Sequence, residues 1–336
     1  IILFSVVVNA TGISLWGVPS FFKGKDMSQV KGLVNGLKKT YDAPELAGIS
    51  RWLNSTPLTI KDLKGKVVLV DFWTYSCVNC IRTLPYMVDL HKQYHDKGLV
   101  VLGVHAPEFE FEKKTDNIQN ALKRFGILYP VAVDNDLLTW AQFHNQFWPA
   151  HYLIDRNGQV VYTHFGEGEY DVTEHNIQYL LGLPLKQSNM GKASDGTIDQ
   201  TPETYLGDAR RDRFAGTAKE GEWALSLHQW QLNNLWDIFP EFIRSKPGTA
   251  QLKLHFRAQK VFLVLGNSTD KPIEVKVMLN GQPLKASTAG KDTHNSSITV
   301  NQYRLYEIID QGSPGQGLLE LDTNDPGLEA YAFTFG

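Results

Sequence analysis

Apolar and polar positions along this chain follow two different periods. Between residues 58 and 184, short apolar runs alternate with amphipathic stretches of helical period. A β-branched run at 67–72 reads as a buried strand. It leads into a helix over 77–95, whose Ile81, Leu84, Met87, Val88 and Leu90 form one apolar face. A continuous apolar strand at 99–104 comes next, then a helix at 115–125 with Ile118, Leu122 and Phe125 inward. A strand at 129–133 and a helix at 136–146 follow. Strands at 150–154 and 159–164 flank Asp155-Arg156-Asn157-Gly158, where Asn-Gly is a hairpin signal. A last helix over 171–181 stops at Gly182 and Pro184. Ahead of this series, 44–54 reads as a lead-in segment and 58–66 as a hairpin into the first long strand. The resulting order, β-α-β-α-β-α-β-β-α, predicts a mixed sheet with flanking helices.

Beyond residue 204 the helical period fades. Positions 252–256 and 273–277 alternate with period two, 261–265 is an unbroken apolar run, and Asn280-Gly281 marks a turn. Further short apolar segments at 298–300, 303–309, 318–321 and 330–335 predict an all-β sandwich. Residues 185–204, rich in Ser, Gly, Asp, Gln and Lys, read as a linker. The expected organisation is therefore a membrane-segment remnant or apolar arm at 1–25, a connector with one short helix at 26–41, an α/β domain at 42–184, the linker at 185–204 and a β-sandwich at 205–336.

Length and composition narrow the function. A chain of 336 residues with 42% hydrophobic and 21% charged residues builds two ordinary globular cores. A formal net charge of −3 gives no reason to expect a nucleic-acid partner. Residues 1–22 contain no Asp, Glu, Lys or Arg and approach the length of a membrane span. They are read as the end of a membrane segment, with an apolar arm packed on the soluble part as the alternative.

Two cysteines, Cys77 and Cys80, are the only ones in the chain. So few exclude a disulfide-stapled scaffold and point to redox work or half of a metal site. Cys77 opens the helix that follows the buried strand. There, backbone N–H groups lack intrahelical partners and the helix dipole favours negative charge, so both stabilise a Cys77 thiolate. Cys80, one turn inward, is the expected resolving thiol. Zinc is weighed because His91 and His95 follow, but the ten-residue gap is short for a finger and the pair opens a long helix, so no metal is expected. Peroxide chemistry has Thr74 in its favour and Val70, where a proline would be needed, against it.

Specific residues around the pair resemble the thioredoxin superfamily. Asp71 lies six residues before Cys77 and is followed by Phe72-Trp73; Pro85 follows Cys80 by five; Trp148-Pro149 precedes a strand, the place of that family's cis-proline. The extra elements before Pro149 resemble the TlpA/ResA-like branch, although Asp71 and Val78-Asn79 depart from the usual pattern. The chain is more similar still to the extracytoplasmic part of DipZ-type cytochrome c biogenesis proteins. That likeness is carried by the run from Asp71 to Cys80, by Gly103-Val104-His105-Ala106-Pro107-Glu108, Trp148-Pro149-Ala150, Phe165-Gly166-Glu167-Gly168 and Thr201-Pro202-Glu203-Thr204-Tyr205-Leu206-Gly207.

The resemblance implies an α/β thioredoxin-like fold plus a C-terminal all-β, jelly-roll sandwich like a carbohydrate-binding module. It also implies a membrane-anchored, extracytoplasmic thiol–disulfide oxidoreductase. Its partners would be a CcdA-like membrane electron donor and disulfide-bearing proteins such as apocytochrome c. No cofactor beyond the Cys77–Cys80 disulfide is expected. Cys77 attacks and Cys80 resolves. Asp71, on an apolar strand, is expected to be buried as proton acceptor for Cys80. Glu108 is read as an acid tuning the cysteines, with a surface-loop position as the alternative. Trp73, Trp148 and Pro149 are expected to shape the substrate groove, with core packing an equal alternative for the two tryptophans. Trp223, Trp230 and Trp236 suggest a glycan-stacking platform, with a sandwich core as the commoner alternative. Dithiol oxidation and a binding module with subsidiary redox function remain open alternatives.

Overall fold

The computed structural model describes residues 32–186, 199–218 and 223–336. The apolar segment 1–22 and most of the linker lie outside the described residues. Among the described residues, no helix is long and apolar enough to cross a membrane.

The first domain contains β1 (Tyr41–Asp42), β2 (Arg51–Leu53), β3 (Val67–Trp73), α1 (Val78–Tyr94), β4 (Leu99–His105), α2 (Thr115–Phe125), β5 (Val131–Val133), α3 (Leu138–Gln142), β6 (Ala150–Ile154), β7 (Gln159–Phe165) and α4 (Tyr170–Leu181). The seven strands form one sheet in the order β1-β7-β6-β3-β4-β5-β2. The β3-β4-β5 centre is parallel, while β6 and β7 add antiparallel strands beside β3. Both faces of β3 are covered, which explains its unbroken apolar run. Val67, Leu69 and Trp73 pack with Leu84, Met87, Ile118 and Ile177 of the helices. The alternate residues Val68, Val70 and Phe72 pack with Ile60, Leu63, Phe143 and Tyr152. Asp71 falls in phase with the first set, so it is forced into that helix-covered core.

Three local expectations need correction. Residues 60–66 form successive turns rather than a hairpin, held by the Glu45 carboxylate, which accepts from the Ile60 and Lys61 N–H groups. The lead-in segment contributes the edge strand β2, paired with β5. The helix expected at 136–146 is only five residues long. The Asp134 carboxylate accepts from the N–H groups of Thr139 and Trp140 at its start, and Phe143 turns inward at its end.

The second domain is all-β: β8 (Thr204–Tyr205), β9 (Phe214–Thr217), β10 (Trp230–Leu232), β11 (Trp236–Ile238), β12 (Ile243–Ser245), β13 (Ala250–Asn267), β14 (Ile273–Leu279), β15 (Gln282–Pro283), β16 (Ser297–Val300), β17 (Arg304–Thr323) and β18 (Leu328–Phe335). Pairing is antiparallel except between β9 and β10. The long strand β13 reads as two halves. Its first half alternates, as a strand with one solvated face does. In its second half Val261, Leu263 and Leu265 enter the domain's own core, while Phe262 and Val264 enter the core of the α/β domain. The apolar run at 261–265 is thus a strand buried between two domains. Tyr331 of β18 completes the seam, with ring centroids 4.7 Å from Phe111 and 5.2 Å from Phe109.

Candidate active site

Cys77 is the N-cap of α1, and its Sγ accepts the N–H of Cys80 at 3.2 Å. A sulfur held there faces the unpaired N–H groups and the positive end of the helix dipole, an arrangement that stabilises a thiolate. Both cysteines are free thiols; Cys77 is half-buried and Cys80 fully buried. Burial pushes the Cys80 thiol well above its ordinary value, and neighbouring Cys77 and Asp71 reinforce the effect. The pair is therefore asymmetric: an accessible sulfur suited to carry charge, and a buried one that stays protonated until a base takes its proton.

The sheet places the cis Trp148–Pro149 bond beside the β3–α1 loop, because Ala150 pairs with Phe72 at the end of β3. The Trp148 indole donates to the Ala106 carbonyl at 2.9 Å and packs on Trp140. Trp148 keeps partial exposure, as a groove residue requires. Trp73 does not. It is fully buried, directed into the helix-covered core, and lies against Gly103, where an added Cβ would come within 3.0 Å of the indole nitrogen. Its placement on β3, in phase with Leu69, makes it packing beneath the site rather than a groove wall.

Exposed aromatics nearby are instead Phe147 and Phe165, with ring centroids 5.4 Å apart. They flank Pro149 in sequence and across the β6–β7 pairing. Replacing both by alanine is expected to lower kcat/KM for protein disulfides by about tenfold, the worth of one or two apolar contacts. Reduction of a small aliphatic disulfide, measured in parallel, is expected to stay unchanged.

The Glu108 side chain makes its contacts with the second domain rather than with the cysteines. The segment after β4 runs outward to the second domain, where the Glu108 carboxylate accepts from Tyr205 Oη at 2.6 Å and from Arg210 at 2.8 Å. The acid that reaches the cysteine loop is Glu112, four residues on, in the 3-10 turn Glu110–Lys113. It is fully buried and accepts from Ser76 Oγ at 2.6 Å and from the N–H groups of Glu108 and Phe109. Burial, with Glu108 nearby, pushes its carboxyl up to about 7. Ser76 precedes Cys77, so Glu112 anchors the loop that presents the nucleophile. No spacing in the sequence distinguishes Glu112 from Glu110, which is exposed; a helical turn starting at Phe109 is the only hint.

Asp71 is buried, as its strand requires. Its cross-strand neighbour on β6 is His151, with Nε2 3.3 Å from Oδ1. That is an ion-pair distance without hydrogen-bond angles, so the oxygens of Asp71 and the ring nitrogens of His151 have no hydrogen-bond partner in the protein. His105, stacked on Tyr75 beneath the loop, is held neutral by burial, which lowers it to about 3. His91 sits on the last turn of α1 and His95 caps its end, so along the axis Cys80 and His91 are about 16 Å apart, too far to share one ion. In the second domain Trp230 and Trp236 are core residues, their indoles donating to the carbonyls of Asp212 and Gln251. They form no exposed platform.

The mixed sheet, the cysteine pair at the helix start and the cis-proline beside it together make a thioredoxin-like domain. The Redoxin family model matches residues 42–181, and the model of the thioredoxin-like C-terminal domain matches residues 201–336. The chain is 34% identical over 312 residues to Protein DipZ of Mycobacterium bovis, covering 88% of this chain and 43% of that protein. It is also 39% identical over 205 residues to SUPPRESSOR OF QUENCHING 1 of Arabidopsis thaliana, 56% of this chain and 19% of that protein. Identity with the thiol-disulfide oxidoreductase ResA of Bacillus cereus is 28% over 178 residues, 53% of this chain and 92% of ResA. The chain spans less than half the length of the DipZ protein it matches.

Proposed function

We propose that these residues are the extracytoplasmic part of a membrane-tethered disulfide reductase that serves cytochrome c maturation or a related thiol-redox relay. The observation that carries this reading is the asymmetric pair at the start of α1, in a chain with no third cysteine. The Cys77 thiolate attacks a substrate disulfide, forms a mixed disulfide and releases one substrate thiolate. Cys80 then loses its proton, attacks Cys77 Sγ and releases the second thiolate. Two electrons pass to the substrate, and Cys77–Cys80 is left oxidised. Recharging needs a dithiol outside these 336 residues, and a CcdA-like membrane domain has that chemistry. Apocytochrome c, with its paired thiols, fits as the substrate.

The second domain contributes a wall. A cleft of about 1010 Å³ runs from Val78, Ile81 and Arg82 of α1 to Lys260, Phe262 and Arg304. It begins one residue after the nucleophile, which suits an extended polypeptide better than a small molecule. A measured reduction potential for the Cys77–Cys80 couple tests the direction of electron flow. A value near that of thioredoxin, about −270 mV, is expected; one near −120 mV, typical of a strong oxidant, overturns the reductant reading.

A further inference from the structure

We propose that Asp71, His151, His164 and Glu169 form a proton relay joining the buried Cys80 thiol to solvent. The inference rests on the dithiol reading above and extends it to the fate of the proton that Cys80 must lose.

Strand register builds the relay. Asp71 pairs with His151 across β3–β6, and His151 pairs with His164 across β6–β7. The three side chains therefore form one row on the helix-covered face of the sheet, in phase with Leu69, Leu153 and Tyr162 of that core. His151 Nε2 is 3.3 Å from Asp71 Oδ1. The two imidazoles are nearly parallel, with centroids 6.0 Å apart. His164 Nδ1 lies 3.5 Å from Glu169 Oε2. Exposure rises along the row, from 1% at Asp71 and His151 to 13% at His164 and 43% at Glu169. The row thus leads from the core to the surface.

Unsatisfied groups point to transport rather than structure. Both Asp71 oxygens, both His151 nitrogens and Nε2 of His164 are buried and lack a hydrogen-bond partner in the protein. Buried polar atoms left this way cost stability unless water or proton exchange occupies them. One water bridging His151 Nδ1 and His164 Nε2 would complete the path, with each ring passing a proton from one nitrogen to the other. Titratable groups beside the row include Cys80 of α1 and Tyr129 ahead of β5 near Asp71, and Tyr162 of β7 and Asp171 of α4 near Glu169. Burial holds both tyrosines protonated, and Tyr162 Oη lies 3.4 Å from Thr173 Oγ1. The two phenols are therefore not competing bases. In the forward reaction the Cys80 proton moves to Asp71 and out through the histidines to Glu169 and water, as the Cys80 thiolate displaces the substrate sulfur. Recharging of the pair reverses the path.

The test is stopped-flow kinetics of the full chain with a disulfide substrate, resolving attack by Cys77 from resolution by Cys80. His151→Phe is expected to slow resolution at neutral pH by about tenfold or more, the usual worth of a positioned acid or base. Its rate then climbs log-linearly with pH as hydroxide replaces the relay, and a solvent deuterium isotope effect appears. His151→Gln, which keeps a polar group beside Asp71 but cannot shuttle protons between two nitrogens, is expected to be as slow. His164→Phe, at a partly exposed position, gives the same signature should the His151 variants fail to fold. Attack by Cys77 stays unchanged in all three; its loss in the parent protein would count against the dithiol reading itself. Wild-type resolution rates and pH profiles in folded variants, or full rescue by glutamine, overturn the relay.

Discussion

Cys80→Ser protein mixed with a disulfide-bearing substrate accumulates a covalent adduct through Cys77, and Cys77→Ser protein accumulates none. The asymmetry of burial dictates this outcome. Cys77 Sγ sits at the helix N-cap with an N–H directed at it, and it is the sulfur that solvent reaches. Serine at position 80 leaves that attack intact but provides no thiolate to resolve the product. Serine at 77 removes the nucleophile, and Cys80 cannot substitute because burial keeps it protonated and enclosed. Turnover of either variant is expected to fall on the order of a thousandfold or more, as loss of a nucleophile generally does. The two are distinguished by the adduct, seen by mass spectrometry and released by reductant. Adducts forming equally at both positions would mean that Cys80 is accessible and the assigned order of attack is wrong.

The thiol chemistry was legible because it is local. Strand, N-cap cysteine, second cysteine and helix lie within one stretch of chain, and the apolar phase of β3 alone places Asp71 in the core. Pro149 could be read for the same reason, from a Trp-Pro pair directly ahead of a strand. What surrounds these residues depends on pairings distant in sequence. His151 reaches Asp71 only because β6 lies beside β3 in the sheet order, although α1, β4, α2, β5 and α3 intervene along the chain. Its pairing with His164 was nearer to view through the Asp155–Gly158 turn, but a register shift between Leu153 and Ile154 displaces the simple hairpin count.

The groove reading of Trp73 and the cysteine-tuning reading of Glu108 gave way for a shared physical reason. Proximity in sequence to the cysteines does not decide which way a side chain points. Strand phase turns Trp73 inward, and the second domain draws Glu108 outward to Tyr205 and Arg210. The aromatic signal in the second domain carried a similar ambiguity. Indoles bury large areas and find carbonyl acceptors inside a core, so Trp230 and Trp236 serve packing without any exposed ligand surface.

Glu112 carries the last prediction, because a single carboxyl there affects both stability and the nucleophile. Its folded-state value of about 7 lies above the 4.5 of an ordinary glutamate. Between these limits the folded chain holds a proton that the unfolded chain has lost. Stability at this group therefore falls as pH rises from about 4.5 to about 7 and levels off above. The full difference corresponds to about 3 kcal/mol. Glu112→Gln, neutral at every pH, is expected to remove this part of the slope when denaturant midpoints at pH 5 and pH 8 are compared with wild type. Glu112→Ala is harsher. Ser76 Oγ and the N–H groups of Glu108 and Phe109 lose their acceptor inside the protein, for a cost of about 3–5 kcal/mol. With Ser76 released, the loop presenting Cys77 loses its anchor, so the rate of Cys77 attack is expected to fall more in Glu112→Ala than in Glu112→Gln. An unchanged pH slope in the glutamine variant would show that Glu112 is ionised throughout, and that its three donors outweigh its burial.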